Sequence, residues 1–135
     1  MSPVGRSPSR IASLRHALRG FRVVLRAQRN AWIHAAASAV VISLAIWLRL
    51  EARDWAALLL AVGLVWMAEL LNTALEAVVD LASPDAHPLA RAGKDVGAAA
   101  VLIAAVTSAA VGVAILGPPL WEIFQLSRLF AGAEP

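Results

Sequence analysis

The chain has 135 residues, enough for one domain, and 60% of them are hydrophobic, more than a soluble domain of this size needs. It has no cysteine, which excludes disulfides and thiolate chemistry. The net charge is +3, yet seven of the twelve basic residues (Arg6, Arg10, Arg15, Arg19, Arg22, Arg26 and Arg29) fall in the first thirty positions, ahead of the first acid, Glu51. That asymmetry argues against a nucleic-acid partner and matches the positive-inside pattern of membrane proteins.

Residues 1–8 hold Pro3, Gly5 and Pro8 and are expected to be disordered. "RIASLRHALRGFRVVLRAQRN" follows. Ile11, Leu14, Leu18, Phe21 and Leu25 recur at helical spacing, and Arg15, Arg19, Arg22, Arg26 and Arg29 recur beside them. The two neighbouring stripes, one apolar and one basic, predict an amphipathic helix over about 9–29. It would lie in the membrane surface with its arginines toward anionic headgroups.

Three long apolar runs come next, and each is long enough for a bilayer core, which takes about 20 helical residues. Spans are expected over about 31–49, 55–82 and 94–117. Backbone groups in lipid must be satisfied within the segment, so all three should be helices. The fold class is therefore an all-α membrane protein, one domain over residues 9–120. A water-soluble three-helix bundle is the alternative, but an uncharged run of some 25 residues fits it poorly. The arginine-rich start places the N-terminus in the cytoplasm. The loop near residues 49–54 then lies outside, and "SPDAHPLARAGKD", with Arg91 and Lys94, lies inside. Ser83 and Pro84 should stop the second span, Gly93 should mark the turn into the third, and Gly117, Pro118 and Pro119 should end it. Residues 121–135 remain as a tail, amphipathic or disordered.

The second span carries an anomaly. Glu69, Asn72, Glu76 and Asp80 are spaced 3, 4 and 4, which puts them within about 80° on one face of a helix. Glu69 and Glu76 lie about 10 Å apart along the axis. Asp80 is expected in water, Glu76 at the boundary and Glu69 one to two turns inside. Asn72 and Thr73 alone would read as hydrogen-bond glue between helices. Buried carboxylates cost several kcal/mol and usually mark function. Three acids on one stripe need a cation between them, an arginine or a hard divalent ion such as Mg²⁺. An acid shielded from water is suited to general-base work. Lys94 and Asp95 open the third helix at the level of Asp80, and Lys94 is suited to a phosphate. Neither GxxxxGK[ST] nor GxGxxG is present.

"ELLNTALEAVVD" (residues 69–80) resembles the signature of the prokaryotic diacylglycerol kinase family, which includes the undecaprenol kinases. "HPLARAGKDVGAAAVL" (residues 87–102) and "QRNAWIH" (residues 28–34) resemble two further stretches, and the likeness covers roughly residues 14–118. The resemblance implies a homotrimeric lipid kinase in the plasma (inner) membrane of a bacterium, moving the γ-phosphate of MgATP to a lipid hydroxyl on the cytoplasmic side. It implies Glu69 as general base, with Asn72 and Ala98 at the lipid substrate. Glu76 and Gln28 would hold the metal. His16, Gln28, Glu76, Asp85, Ala86, His87, Lys94 and Asp95 would line the nucleotide site. Two positions depart from the family pattern. Gln28 stands where a metal-binding Glu is common, and His16 where an aromatic often lies near the adenine. Asn30 and His34 lean toward the undecaprenol side of the family, with diacylglycerol the other substrate. Two other readings stay open: a small cation-conducting or transport subunit with acids ringing a pore, and a non-catalytic relative with Gln28 as its lesion.

Overall fold

The computed structural model describes residues 9–131, all of it helix or short connection. The disorder expected of residues 1–8, and the last four residues of the tail, lie outside that range. Four helices follow in order: α1 (Arg10–Ala27), α2 (Arg29–Trp47), α3 (Ala52–Ala82) and α4 (Pro88–Ala131).

α1 begins where Ser9 accepts the backbone N–H of Ala12 on its hydroxyl, an N-cap. It ends at Gln28, whose extended backbone (φ −110°, ψ 120°) serves both α1 and α2 and turns the chain from one to the other. Ile11, Leu14 and Leu18 stay exposed on α1 while Val24 is buried, so most of its apolar stripe faces outward. That is the arrangement of a helix lying in a lipid surface.

α2, α3 and α4 are each long and apolar enough to cross a membrane. α3 and α4 form the most extensive pair. They run antiparallel: Ala61 lies by Ser108, Asn72 by Gly97 and Asp80 by Lys94. The Ser108 hydroxyl donates to the Ala61 carbonyl at 2.8 Å, a polar tie in an otherwise apolar seam. At the end away from Asp80, Ala45, Leu58 and Leu116 form a small core, with Leu48, Leu50, Trp55 and Leu120 around it. Elsewhere Leu60, Leu71, Val78, Leu102, Ile103 and Val113 are exposed. A water-soluble protein would not leave so continuous an apolar surface uncovered; a bilayer covers it.

One residue ties three helices together. Trp66 of α3 stacks on Phe21 of α1 with ring centroids 4.7 Å apart. Its indole N–H donates to the Ser38 hydroxyl of α2 at 3.1 Å, and that hydroxyl donates to the His34 carbonyl at 2.7 Å.

Both ends of the third span differ from the sequence expectation. α4 starts at Pro88, not near residue 94, and Gly93 lies within it against Val79. Pro88 suits a first helical position because its missing N–H is not needed there. His87 caps the start: its carbonyl accepts from Arg91 N–H at 3.1 Å and its Nδ1 from Leu89 N–H at 3.2 Å. At the other end α4 continues through Gly117, Pro118 and Pro119 to Ala131. Two prolines deprive only the Ala114 and Ile115 carbonyls of helical donors. The strong helix formers Leu, Glu, Gln and Arg that follow carry the helix onward, so the expected stop is not made.

Candidate functional site

The polar stripe of α3 divides into two regions, buried at Glu69 and Asn72 and exposed at Asp80. The deeper one holds Glu69, Asn72 and Glu76. Glu69 is 2% exposed and is the largest fully buried side chain among the described residues. His34 of α2 presents Nε2 at 4.0 Å from its carboxylate, a gap too long for a direct hydrogen bond. That nitrogen is buried and has no other partner. Thr73, beside the stripe, spends its hydroxyl on the Glu69 carbonyl at 2.9 Å and so belongs to the helix.

Asn72 is also buried. Its amide N–H donates to Glu76 Oε1 at 3.0 Å. Gln28, from the break between α1 and α2, donates to Glu76 Oε2 at 2.7 Å. Glu76 thus gathers two amide donors from opposite sides, one per oxygen, and is half-buried. Asn72 Oδ1 is buried without a partner. It lies where α4 carries Gly97: a Cβ there would sit 2.3 Å from Asn72 Oδ1 and 3.2 Å from a Leu75 methyl. Gly97 therefore admits the amide of Asn72 into the α3–α4 seam.

The second region is a surface cleft of about 830 Å³ at the end of α3. Asp80, Asp85, Ala86, His87, Arg91, Lys94 and Asp95 are among its walls. Ser83 shapes the connection by donating to the Asp85 carbonyl at 3.0 Å. Lys94 forms a hydrogen-bonded ion pair with Asp80 across the α3–α4 seam. The cation that the acidic stripe calls for is, at its outer acid, a lysine. Both partners are substantially exposed, so an incoming anion can compete for Lys94.

The structure thus brings together Glu69, Asn72, Glu76 and Gln28 in one group and Asp85, Ala86, His87, Lys94 and Asp95 in the other. His16 is exposed on α1 and is not in the cleft lining, and Ala98 is exposed on α4, one residue beyond Gly97. Gly97 and the Trp66 latch are additions that the sequence reading lacked. A glycine inside a helix signals a close approach, so "GKDVG" held the clue to Gly97. Nothing in the local pattern around Trp66 names its partners.

An apolar slot of about 560 Å³ runs from His34, beside Glu69, between α2, α3 and α4 down to Leu120. His34, Ser38 and Ser108 are its few polar linings. Among the described residues no group of three His, Cys, Asp or Glu side chains is set to enclose a metal. Glu76 supplies a carboxylate, and a half-turn of the Gln28 amide, which here presents its N–H, would bring its oxygen beside it. That hard set fits an ion such as Mg²⁺, which takes one or two carboxylates and completes its shell from phosphates and water.

A membrane-spanning helical bundle with a buried carboxylate beside the His34 end of an apolar slot, and a lysine-bearing cleft farther along the same helix, has the parts of an enzyme that works within a membrane. The sequence profile of the family described as "Prokaryotic diacylglycerol kinase" matches residues 15–116. The chain belongs to that family of lipid kinases. It is 44% identical over 118 residues to a protein of Synechocystis sp. named "Diacylglycerol kinase", covering 87% of this chain and 67% of that one. It is 41% identical over 105 residues to the "Undecaprenol kinase" of Bacillus subtilis, covering 78% of this chain and 85% of that one. The "Diacylglycerol kinase" of Escherichia coli K12 is 41% identical over 87 residues, covering 59% and 71%.

Proposed function

We propose that this lipid kinase transfers the γ-phosphate of ATP to the hydroxyl of a membrane lipid alcohol, undecaprenol or diacylglycerol, at the cytoplasmic face of a bacterial inner membrane. The observation that carries the reading is Glu69: a fully buried carboxylate, 4.0 Å from an unpartnered nitrogen of His34, which lines the end of the apolar slot. A lipid hydroxyl brought up the slot meets an acceptor for its proton. Glu69 takes that proton, the lipid oxygen forms its bond to the γ-phosphorus, and the bond from that phosphorus to the bridging oxygen breaks to release ADP. Placing the hydroxyl in a dry pocket supplies most of what phosphoryl transfer asks of a protein, namely position and charge compensation.

Asn72 offers a free buried acceptor one turn from Glu69 and holds Glu76 by its amide N–H. Ala98 joins it on the lipid side. Glu76 and Gln28 would hold Mg²⁺, which when bound compensates the charge of the phosphates. Lys94, freed from Asp80, pairs with a phosphate, and Asp85, Ala86, His87 and Asp95 wall the nucleotide in the cleft. His16, on the exposed face of α1, completes the nucleotide site at the adenine. A neighbouring chain, as in a homotrimer, would find a second apolar groove of about 560 Å³ where Leu71, Val96 and Ile103 are exposed.

Radiolabelled γ-phosphate transfer in mixed micelles, with MgATP and either undecaprenol or diacylglycerol, tests the reading. Label is expected in one lipid with the native chain. Glu69→Gln is isosteric and removes the base, so it is expected to lower the rate at least about 100-fold, in the range of general-base contributions. Nucleotide binding and folding should survive. Unchanged transfer by the variant would remove Glu69 from the mechanism.

A further inference from the structure

The segment of α4 after Pro119 lies beyond the matched family region and takes no part in the chemistry above. Leu120 is the last residue of α4 seated against the core that Ala45, Leu58 and Leu116 make with the α2–α3 connection. Every residue from Trp121 to Leu129 is exposed. Eleven residues from Trp121 to Ala131 reach about 16 Å past the end of the bundle. In water they would expose Trp121, Ile123, Phe124, Leu126 and Leu129.

The segment has two sides. At 100° per residue, Leu120, Ile123, Phe124 and Leu126 fall within an arc of about 160°, and Glu122, Gln125 and Arg128 within a separate arc of about 120°. Trp121 and Leu129 share the polar side, and Ser127 lies in the apolar arc with its hydroxyl donated to the Phe124 carbonyl. Trp121 stacks near Phe124 with centroids 5.7 Å apart, and the Arg128 guanidinium lies 4.8 Å over the Phe124 ring. An indole and a snorkelling arginine beside an apolar face are the groups that settle at a membrane–water boundary.

α4 is continuous through the joint before this segment, but the joint lacks hydrogen bonds that would resist bending. Pro118 and Pro119 remove two helical hydrogen bonds. Gly117 has open space where a Cβ would stand, so close packing does not account for it. On a continuous helix this face follows Leu116 and Leu120, the core-facing side of α4, past the end of the bundle, where no other helix covers it, and only Phe124 lines up with the exposed Val106 and Val113. We propose that residues 120–131 form an interfacial helix, hinged at Gly117, Pro118 and Pro119, that lies on the leaflet opposite the Glu69 site with Ile123, Phe124 and Leu126 in the acyl boundary. Its occupant is the lipid surface itself. Glu122 and Arg128 cancel, so attachment is apolar and indifferent to headgroup charge, unlike that of the arginine-rich α1.

The chain has no cysteine, so single-cysteine spin labels report cleanly. Six variants, Ile123→Cys, Phe124→Cys, Leu126→Cys, Glu122→Cys, Gln125→Cys and Arg128→Cys, are labelled in the full chain and reconstituted in phosphatidylcholine vesicles. Accessibility to oxygen and to a water-soluble nickel chelate is then compared. The ratio is expected to favour oxygen at the first three sites and nickel at the last three. Adding phosphatidylglycerol or raising the salt should leave the pattern unchanged. Equal nickel accessibility at all six sites would overturn the proposal, leaving the helix standing in water. Dipolar broadening confined to the 123, 124 and 126 labels would also overturn it, because copies of the chain would then cover that face. All six side chains are exposed, so the substitutions leave the packed bundle untouched.

Discussion

At the residue scale the site depends on groups held by very few atoms. Asn72 keeps its place because α4 has hydrogen where other residues have a methyl. Gly97→Ala puts a Cβ into the position of Asn72 Oδ1 and crowds Leu75. The amide is the movable party, so the substitution is expected to break the 3.0 Å bond from Asn72 to Glu76. Kinase turnover should fall at least tenfold, a rise of about 1.4 kcal/mol in the barrier, while overpacking costs about 1–3 kcal/mol of stability. The decisive measurement is a double-mutant cycle. In an Asn72→Ala background the clash is gone, and Gly97→Ala should add little. Equal costs in both backgrounds would mean that Gly97 serves the seam and not the amide. Gln28 makes a second test. Its donated hydrogen bond to Glu76 adds no negative charge to the donor set, so Gln28→Glu replaces a 2.7 Å attraction by a repulsion that a cation relieves. The Mg²⁺ concentration for half-maximal activity is expected to drop in a metal titration, and an unchanged midpoint would place Gln28 outside the metal's reach.

At the level of elements, the latch at Trp66 explains how a surface helix with few contacts is tied to a membrane bundle. Trp66→Leu loses the stacking on Phe21 and the bond to Ser38 together, worth about 1–2 kcal/mol in sum. The expectation is faster amide exchange along α1, with α3 and α4 protected as before. Exchange that rises equally in α3 and α4 would make Trp66 a core residue instead of a latch. This contact also marks the limit of what the sequence disclosed. The existence of four helices was legible, because apolar run length and a two-stripe amphipathic pattern are local properties. The spacing of Glu69, Asn72, Glu76 and Asp80 was legible for the same reason: one helix face is a matter of counting. The helix ends were not. Pro88 opens α4 early because His87 caps it from outside the apolar run, and Pro118 and Pro119 are absorbed because neighbouring turns keep their own hydrogen bonds. Trp66 with Phe21, Gln28 with Glu76 and Asn72 against Gly97 each join residues 25 or more apart. Such pairings follow from how helices pack, which no single segment records.

For the whole molecule, orientation links the charge pattern to the chemistry. Most of the arginines lie in α1 and before it, and Lys94 and Arg91 lie at the same end of the bundle as the cleft. The connection between α2 and α3 and the first turn of α3 together balance Arg49 and Arg53 against Glu51 and Asp54. Positive charge near short connections is retained on the cytoplasmic side, so the cleft should open where nucleotide is available. Single cysteines in this cysteine-free chain can decide it. Arg53→Cys is expected to react with a membrane-impermeant maleimide in intact cells. Pro84→Cys, at the cleft end, should react only after the membrane is opened. The reverse pattern would put Glu69 and Lys94 toward the outside, where ATP is scarce, and would sink ATP as the phosphate donor even if the carboxylate and its slot were otherwise intact. The expected pattern leaves the molecule one consistent direction: nucleotide from the cytoplasm at the Lys94 cleft, and lipid from the bilayer along the slot that begins at His34, the residue beside Glu69.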